Sequence, residues 1–113
     1  MGEPIRRTFG DAVAGRRRVL GLTQRDLAAR TSLSPQYLCD IENGRREPVT
    51  VATIHCLAAA LDHSADDLFF LAGRLPPDLA RAVMLAGPEQ CAAALDAFRA
   101  ALRPQQHEEQ AHG

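Results

Sequence analysis

Between Gln24 and Arg46 the chain gathers side chains suited to hydrogen bonding rather than to making or breaking bonds. Gln36 carries an amide with a donor and an acceptor side by side, the pattern that matches N6 and N7 of adenine in a major groove. Gln24 can offer a second amide, together with a helix N-terminus, to a phosphate. Tyr37, Asn43, Arg45 and Arg46 are further candidates for a phosphate backbone, and Arg25 is better placed for one than Arg30. Cys39 lies on the outward side of the same stretch with no obvious activating neighbour. The residues of covalent chemistry are present but unorganised. Ser, His, Cys and Asp form no nucleophile elbow, zinc motif or phosphate loop, which reads against an enzyme. Cys39, Cys56 and Cys91 are an odd set without metal-ligand spacing, read as reduced cytoplasmic thiols. Around His55 and His63 no Cys or acidic ligand repeats at a suitable spacing, so neither a metal nor a cofactor is expected.

These residues need a scaffold, and the local pattern supplies one. Thr23 can cap a helix, with Asp26 reaching back from its third position as a capping box. Leu27 and Ala28 form that helix's inward side. Thr31-Ser32-Leu33 makes a turn, with Leu33 as an apolar peg. Ser34 caps a second helix, and Pro35 follows where a missing N–H costs nothing. Leu38, Ile41 and Glu42 fall on one face, and Gly44 ends the helix as a left-handed cap. A bracing helix followed by one whose N-terminal end projects is the helix-turn-helix geometry for entering a major groove. Ahead of it, a helix over about Phe9 to Leu20 has the stripe Phe9, Val13 and Leu20, with Arg17 on the same stripe. A buried Arg needs a partner. Glu42 is the matching charge on an apolar face, which predicts an Arg17–Glu42 structural ion pair.

The stretch resembles the Cro/C1-type helix-turn-helix repressors. The matching residues are Leu22-Thr23-Gln24, Leu27-Ala28, Leu33-Ser34 and Ile41-Glu42-Asn43-Gly44-Arg45, within a resemblance from about Phe9 to Leu71. The resemblance implies an all-α, five-helix lambda-repressor-like DNA-binding domain and the same Arg17–Glu42 pair. It places base readers at Ser34, Pro35, Gln36 and Asp40, and a phosphate contact at Gln24. Pro35 can offer only apolar contact, as to a thymine methyl. Asp40 could accept from cytosine N4 but would repel phosphate. The chain departs from the family in the turn, where Ser32 stands at the usual glycine.

The totals agree with a small helical protein. The chain has 113 residues, is 46% hydrophobic and only 4% aromatic, so its core must come from Leu, Ala, Val and Ile. Net charge is −1, but residues 1–50 carry nine arginines against six acids (net +3), and residues 51–113 carry four against eight (net −4). The basic half holds the helix-turn-helix. Residues 1–7 read as an arm whose Arg6 and Arg7 either reach DNA or fray. Arg45-Arg46-Glu47-Pro48 reads as a loop.

Helix 4 is expected over Val51 to Leu61, with Val51, Ile54, Leu57, Ala58 and Leu61 inward. Helix 5 is expected from a Ser64 cap. The expected domains are 1–73 for DNA binding (motif about 23–44), 74–103 as a C-terminal helical hairpin and 104–113 as a disordered tail. The hairpin helices should span about Pro77–Ala86 and Pro88–Arg103, the second with the stripe Cys91, Leu95, Phe98 and Leu102. A pair this small cannot bury its stripe alone. Either it packs back, or it meets a second copy, the favoured reading. No apolar run approaches the roughly 18 residues of a membrane span.

The expectation is therefore a cytoplasmic, homodimeric transcriptional regulator that binds double-stranded DNA, most simply a repressor reading an inverted repeat. An antitoxin that binds a protein partner and autoregulates its operon is the alternative, and an interaction domain without DNA readout is the third.

Overall fold

The computed structural model describes residues 7–46 and 49–104. The arm up to Arg6, the Glu47-Pro48 step of the loop and the tail beyond Pro104 lie outside the described residues. Among the described residues all regular structure is helical: α1 (Phe9–Val19), α2 (Gln24–Thr31), α3 (Pro35–Glu42), α4 (Val51–Leu61), α5 (Ala65–Leu71), α6 (Pro77–Leu85) and α7 (Pro88–Ala101).

The first five helices share one start signal. Thr8, Thr23, Ser34, Thr50 and Ser64 each accept a hydrogen bond from the backbone N–H three residues on. Each satisfies a donor the helix cannot, and contributes about 1 kcal/mol. At Thr23 the exchange is reciprocal, since its N–H donates to Asp26 Oδ2 at 2.9 Å. Helices this short are marginal in isolation, so packing must supply the rest.

The chain divides after Pro76 into two compact units. In the first, α1 packs on α3, α4 and α5, α2 on α3 and α4, and α4 on α5. Val13, Leu27, Leu38, Ile41, Ile54, Leu57, Leu61, Leu68 and Phe69 are fully enclosed. Gly10 lets α1 and α3 approach closely. A Cβ there would stand 2.5 Å from the Ile41 carbonyl oxygen and 2.7 Å from that of Glu42. Two apolar residues expected inward are not. Leu20 follows the end of α1 and is exposed, and Val51 is exposed at the first position of α4. Both sit at helix ends that overrun the core. Gly10 and Ala14 complete the inward face of α1 instead.

In the second unit neither helix contains a buried residue. Leu79, Val83, Leu95 and Leu102 are exposed. The Cys91 thiol reaches the Val83 carbonyl oxygen at 3.6 Å, and Gln90 Oε1 accepts from the Gly87 N–H at 3.1 Å. The helices stop at Leu85 and Ala101, earlier than their periodicity suggests. No described helix is long and apolar enough to cross a membrane.

Candidate nucleic-acid interface

α2 and α3 are joined by a turn whose pivot is Ser32, at φ 61°. An L-residue in that region carries a cost near 1–2 kcal/mol, so the turn is held by its surroundings. Leu27, Leu38 and Ile41 are enclosed on either side, and the Thr31 hydroxyl donates to the Leu27 carbonyl at 2.8 Å. Beyond α3, Gly44 takes φ 73° and turns the chain away.

The base of α3 is fastened by a buried polar network. Arg17 Nε donates to Glu42 Oε2 at 2.7 Å and its NH2 to Oε1 at 2.9 Å, a two-point fit between guanidinium and carboxylate. Arg17 NH1 donates to the Leu22 carbonyl at 2.9 Å, and Gln24 Nε2 to Glu42 Oε1 at 2.9 Å. The two charged side chains are only 12% and 5% exposed. Burial pushes the Glu42 carboxyl up, but the hydrogen bonds from Arg17 and Gln24 and the charges of Arg17 and Arg18 outweigh it and hold it below its ordinary value. The same partner raises Arg17. One amide hydrogen of Gln24 is thus turned inward, an engagement the sequence pattern did not reveal. Three elements, α1, α2 and α3, are tied at one point.

The opposite end of α3 is open. Ser34, Pro35 and Gln36 are exposed, and the Ser34 hydroxyl is occupied as the cap, accepting from the Tyr37 N–H at 3.0 Å. One turn on, Asp40 Oδ1 accepts from Gln36 Nε2 at 3.1 Å and from Arg45 NH2 at 3.3 Å. Asn43 donates to the Cys39 carbonyl at 2.8 Å and approaches its sulfur at 3.4 Å. The Arg46 guanidinium lies 5.0 Å from the centre of the Tyr37 ring, a cation–π arrangement. Arg25 and Arg30 are exposed on α2. The start of α3 therefore presents the Gln36 amide, with the exposed guanidiniums of Arg25, Arg45 and Arg46 elsewhere on the motif, while Glu42 at the end of α3 is anchored.

Several arginines have roles that sequence spacing did not suggest. Arg16 Nε donates to the Leu61 carbonyl at 2.9 Å, closing the C-terminus of α4. Arg74 donates to the Val49 carbonyl, tying the segment after α5 to the loop before α4. Arg7, read as an arm residue that could reach outward, pairs with Asp67 at 2.7 Å. Asp67 also meets His63 Nε2 at 2.9 Å. The i, i+4 spacing of His63 and Asp67 was a visible signal; the Arg7 contact, 60 residues away, was not. Among the described residues no group of His, Cys, Asp and Glu could hold a metal ion.

Comparison with known proteins bears on this geometry. A family model described as a helix-turn-helix domain matches residues 8–69. The chain is similar to the HTH-type transcriptional regulator y4dJ of Sinorhizobium fredii, 45% identical over 64 residues that span 57% of this chain and 82% of the relative. Its fold is similar to that of the restriction-modification controller protein C.AhdI from Aeromonas hydrophila, with TM-score 0.50 and 36% identity over 54% of this chain and 91% of the other. It is also similar to the clp gene regulator ClgR from Corynebacterium glutamicum, with TM-score 0.52 and 28% identity over 92% of this chain and all of the other.

Proposed function

Because the chain belongs to the Cro/C1-type helix-turn-helix family of DNA-binding transcriptional regulators, we propose that it acts in the cytoplasm as a homodimeric repressor that reads an inverted repeat with the helix starting at Ser34. One observation carries this reading: α3 is anchored at its base by the Arg17–Glu42–Gln24 network and exposed at its N-terminal end. A reading head needs both properties, because base contacts discriminate only when the helix is held in register. Ser34, Pro35, Gln36 and Asp40 form the base-facing set, Asp40 through the Gln36 amide to which it is bonded. Gln24, Arg25, Tyr37, Asn43, Arg45 and Arg46 form the phosphate-facing set, which fixes position and makes binding depend on salt.

The dimer assignment draws on the second unit. Leu79, Val83, Leu95 and Leu102 leave apolar surface exposed, and a second copy related by a two-fold axis covers such a surface on both chains at once. The same reading gives DNA binding to the unit up to Pro76 and association to α6 and α7.

Selection of binding sites from random duplex DNA by the purified chain tests it. Enrichment of an inverted repeat with half-site centres about one helical turn apart supports a dimeric reader. A single half-site contradicts the dimer. No enrichment contradicts sequence reading and moves the weight to a protein-partner role, as in an antitoxin.

A further inference from the structure

Gln36 and Asp40 stand one turn apart on α3, with Gln36 Nε2 3.1 Å from Asp40 Oδ1. A carboxylate carries only acceptors, so the end of the Gln36 amide that faces it is the nitrogen. Arg45 holds the same oxygen from the far end of the helix, with Nε at 3.4 Å and NH2 at 3.3 Å. Asp40 is half-buried while Gln36 is exposed. The carboxylate is thus fixed from one side, and it fixes the amide from the other.

This matters because a glutamine amide is two-faced. Turned one way it presents oxygen and one N–H in the order that fits adenine N6 and N7. Turned the other way its nitrogen can donate to O6 or N7 of guanine. Rotation of the terminal amide interchanges the two, and that torsion is broad and roughly two-fold. An unpartnered Gln36 would therefore read ambiguously.

We propose that Asp40 is a positioning residue that fixes the orientation of the Gln36 amide, so that Gln36 presents its Oε1 and selects a base bearing an exocyclic amine. This rests on the reading of the α3 N-terminus as the base-contacting end. One hydrogen of Nε2 goes to Asp40. The other stays beside Oε1, and the pair matches adenine, with N6 donating to Oε1 and N7 accepting from Nε2. Guanine and thymine present O6 and O4 where Oε1 sits, acceptor against acceptor. Arg45 keeps the carboxylate in place and offsets its charge close to the phosphates. Asp40 thereby sets specificity without needing to touch a base.

The test is binding-site selection run in parallel with the wild type, Q36A, D40A and D40N, each checked for an unchanged melting temperature. The position that Gln36 reads is the one whose preference Q36A abolishes, and the wild type should enrich adenine there. D40A should lower that preference by about fivefold or more, with guanine rising, while the other positions keep theirs. D40N keeps an acceptor oxygen, which the Arg45 donors hold where the carboxylate oxygen lay, and should retain the adenine preference. A D40A profile identical to wild type, alongside loss in Q36A, overturns the proposal. So does a D40A effect spread evenly over all positions, which is what loss of a negative charge near DNA alone would produce. A wild-type pool with no enriched sequence overturns the DNA-reading assignment, and this inference with it.

Discussion

Arg17 and Glu42, 25 residues apart in the chain, meet through two hydrogen bonds of 2.7 and 2.9 Å in a setting that leaves their side chains 12% and 5% exposed. The pair joins α1 to the far end of α3, and Gln24 adds α2. Removing one partner strands the other charge in the interior. Glu42→Ala is therefore expected to destabilise the fold by roughly 3–5 kcal/mol, read from the shift in denaturant midpoint. An unchanged midpoint would mean that the pair is solvated in solution.

The same pair predicts a pH dependence. Glu42 is held below its ordinary value in the folded state, so the unfolded chain binds more protons through the acid range. The stabilisation is then fully present above the ordinary glutamate range, near pH 4 to 5, and is lost as pH falls through the lower folded value. Asp67, lowered by its hydrogen bonds to Arg7 and His63, contributes with the same sign. Stability measured between pH 7 and pH 3 should fall with acid, and Glu42→Gln should show a shallower fall. Equal slopes for the two proteins would remove Glu42 as the source.

Ser32 makes a third case. It holds φ 61° at the turn between α2 and α3 and is exposed. Glycine adopts this region freely, although it costs more unfolded-state entropy. Ser32→Gly is expected to raise stability by about 0.5–1 kcal/mol, visible as a higher melting temperature. A lower melting temperature would show that the serine relieves the turn in some other way.

Leu95 is 46% exposed on α7, in a unit none of whose described residues is buried. If a second copy covers that surface, Leu95→Glu places charges in the interface. The variant should sediment as a monomer while its helical content stays near that of the wild type. A wild-type chain that sediments as a monomer would count against the dimer.

Much of the first unit was legible because its signals are local. The caps at Thr23, Ser34 and Ser64, Pro35 at the start of α3 and Gly44 beyond its end each act within one turn, and the apolar spacing of α4 places Ile54, Leu57, Ala58 and Leu61 correctly. The Arg17–Glu42 contact is long-range, yet it was readable because each charge sits on an otherwise apolar face. The remaining contacts carry no such mark. Gly10 faces the carbonyl oxygens of Ile41 and Glu42 across two helices, and a glycine inside a helical pattern does not announce what it approaches. Arg16, Arg74 and Gln24 bond to partners that only the packed chain brings near. Leu20 and Val51 were misplaced because periodicity is blind to where the core ends.

The central claim is that the exposed start of α3 reads sequence. It is tested most directly by equilibrium binding of the purified chain, at physiological salt, to its best selected duplex and to a shuffled duplex of the same composition. The expected result is tighter binding to the selected site by a factor in the range of roughly 10³ to 10⁷, with Gln36→Ala giving up about 1–3 kcal/mol of that discrimination. Equal affinity for the two duplexes, or a ratio that Gln36→Ala leaves untouched, would contradict it.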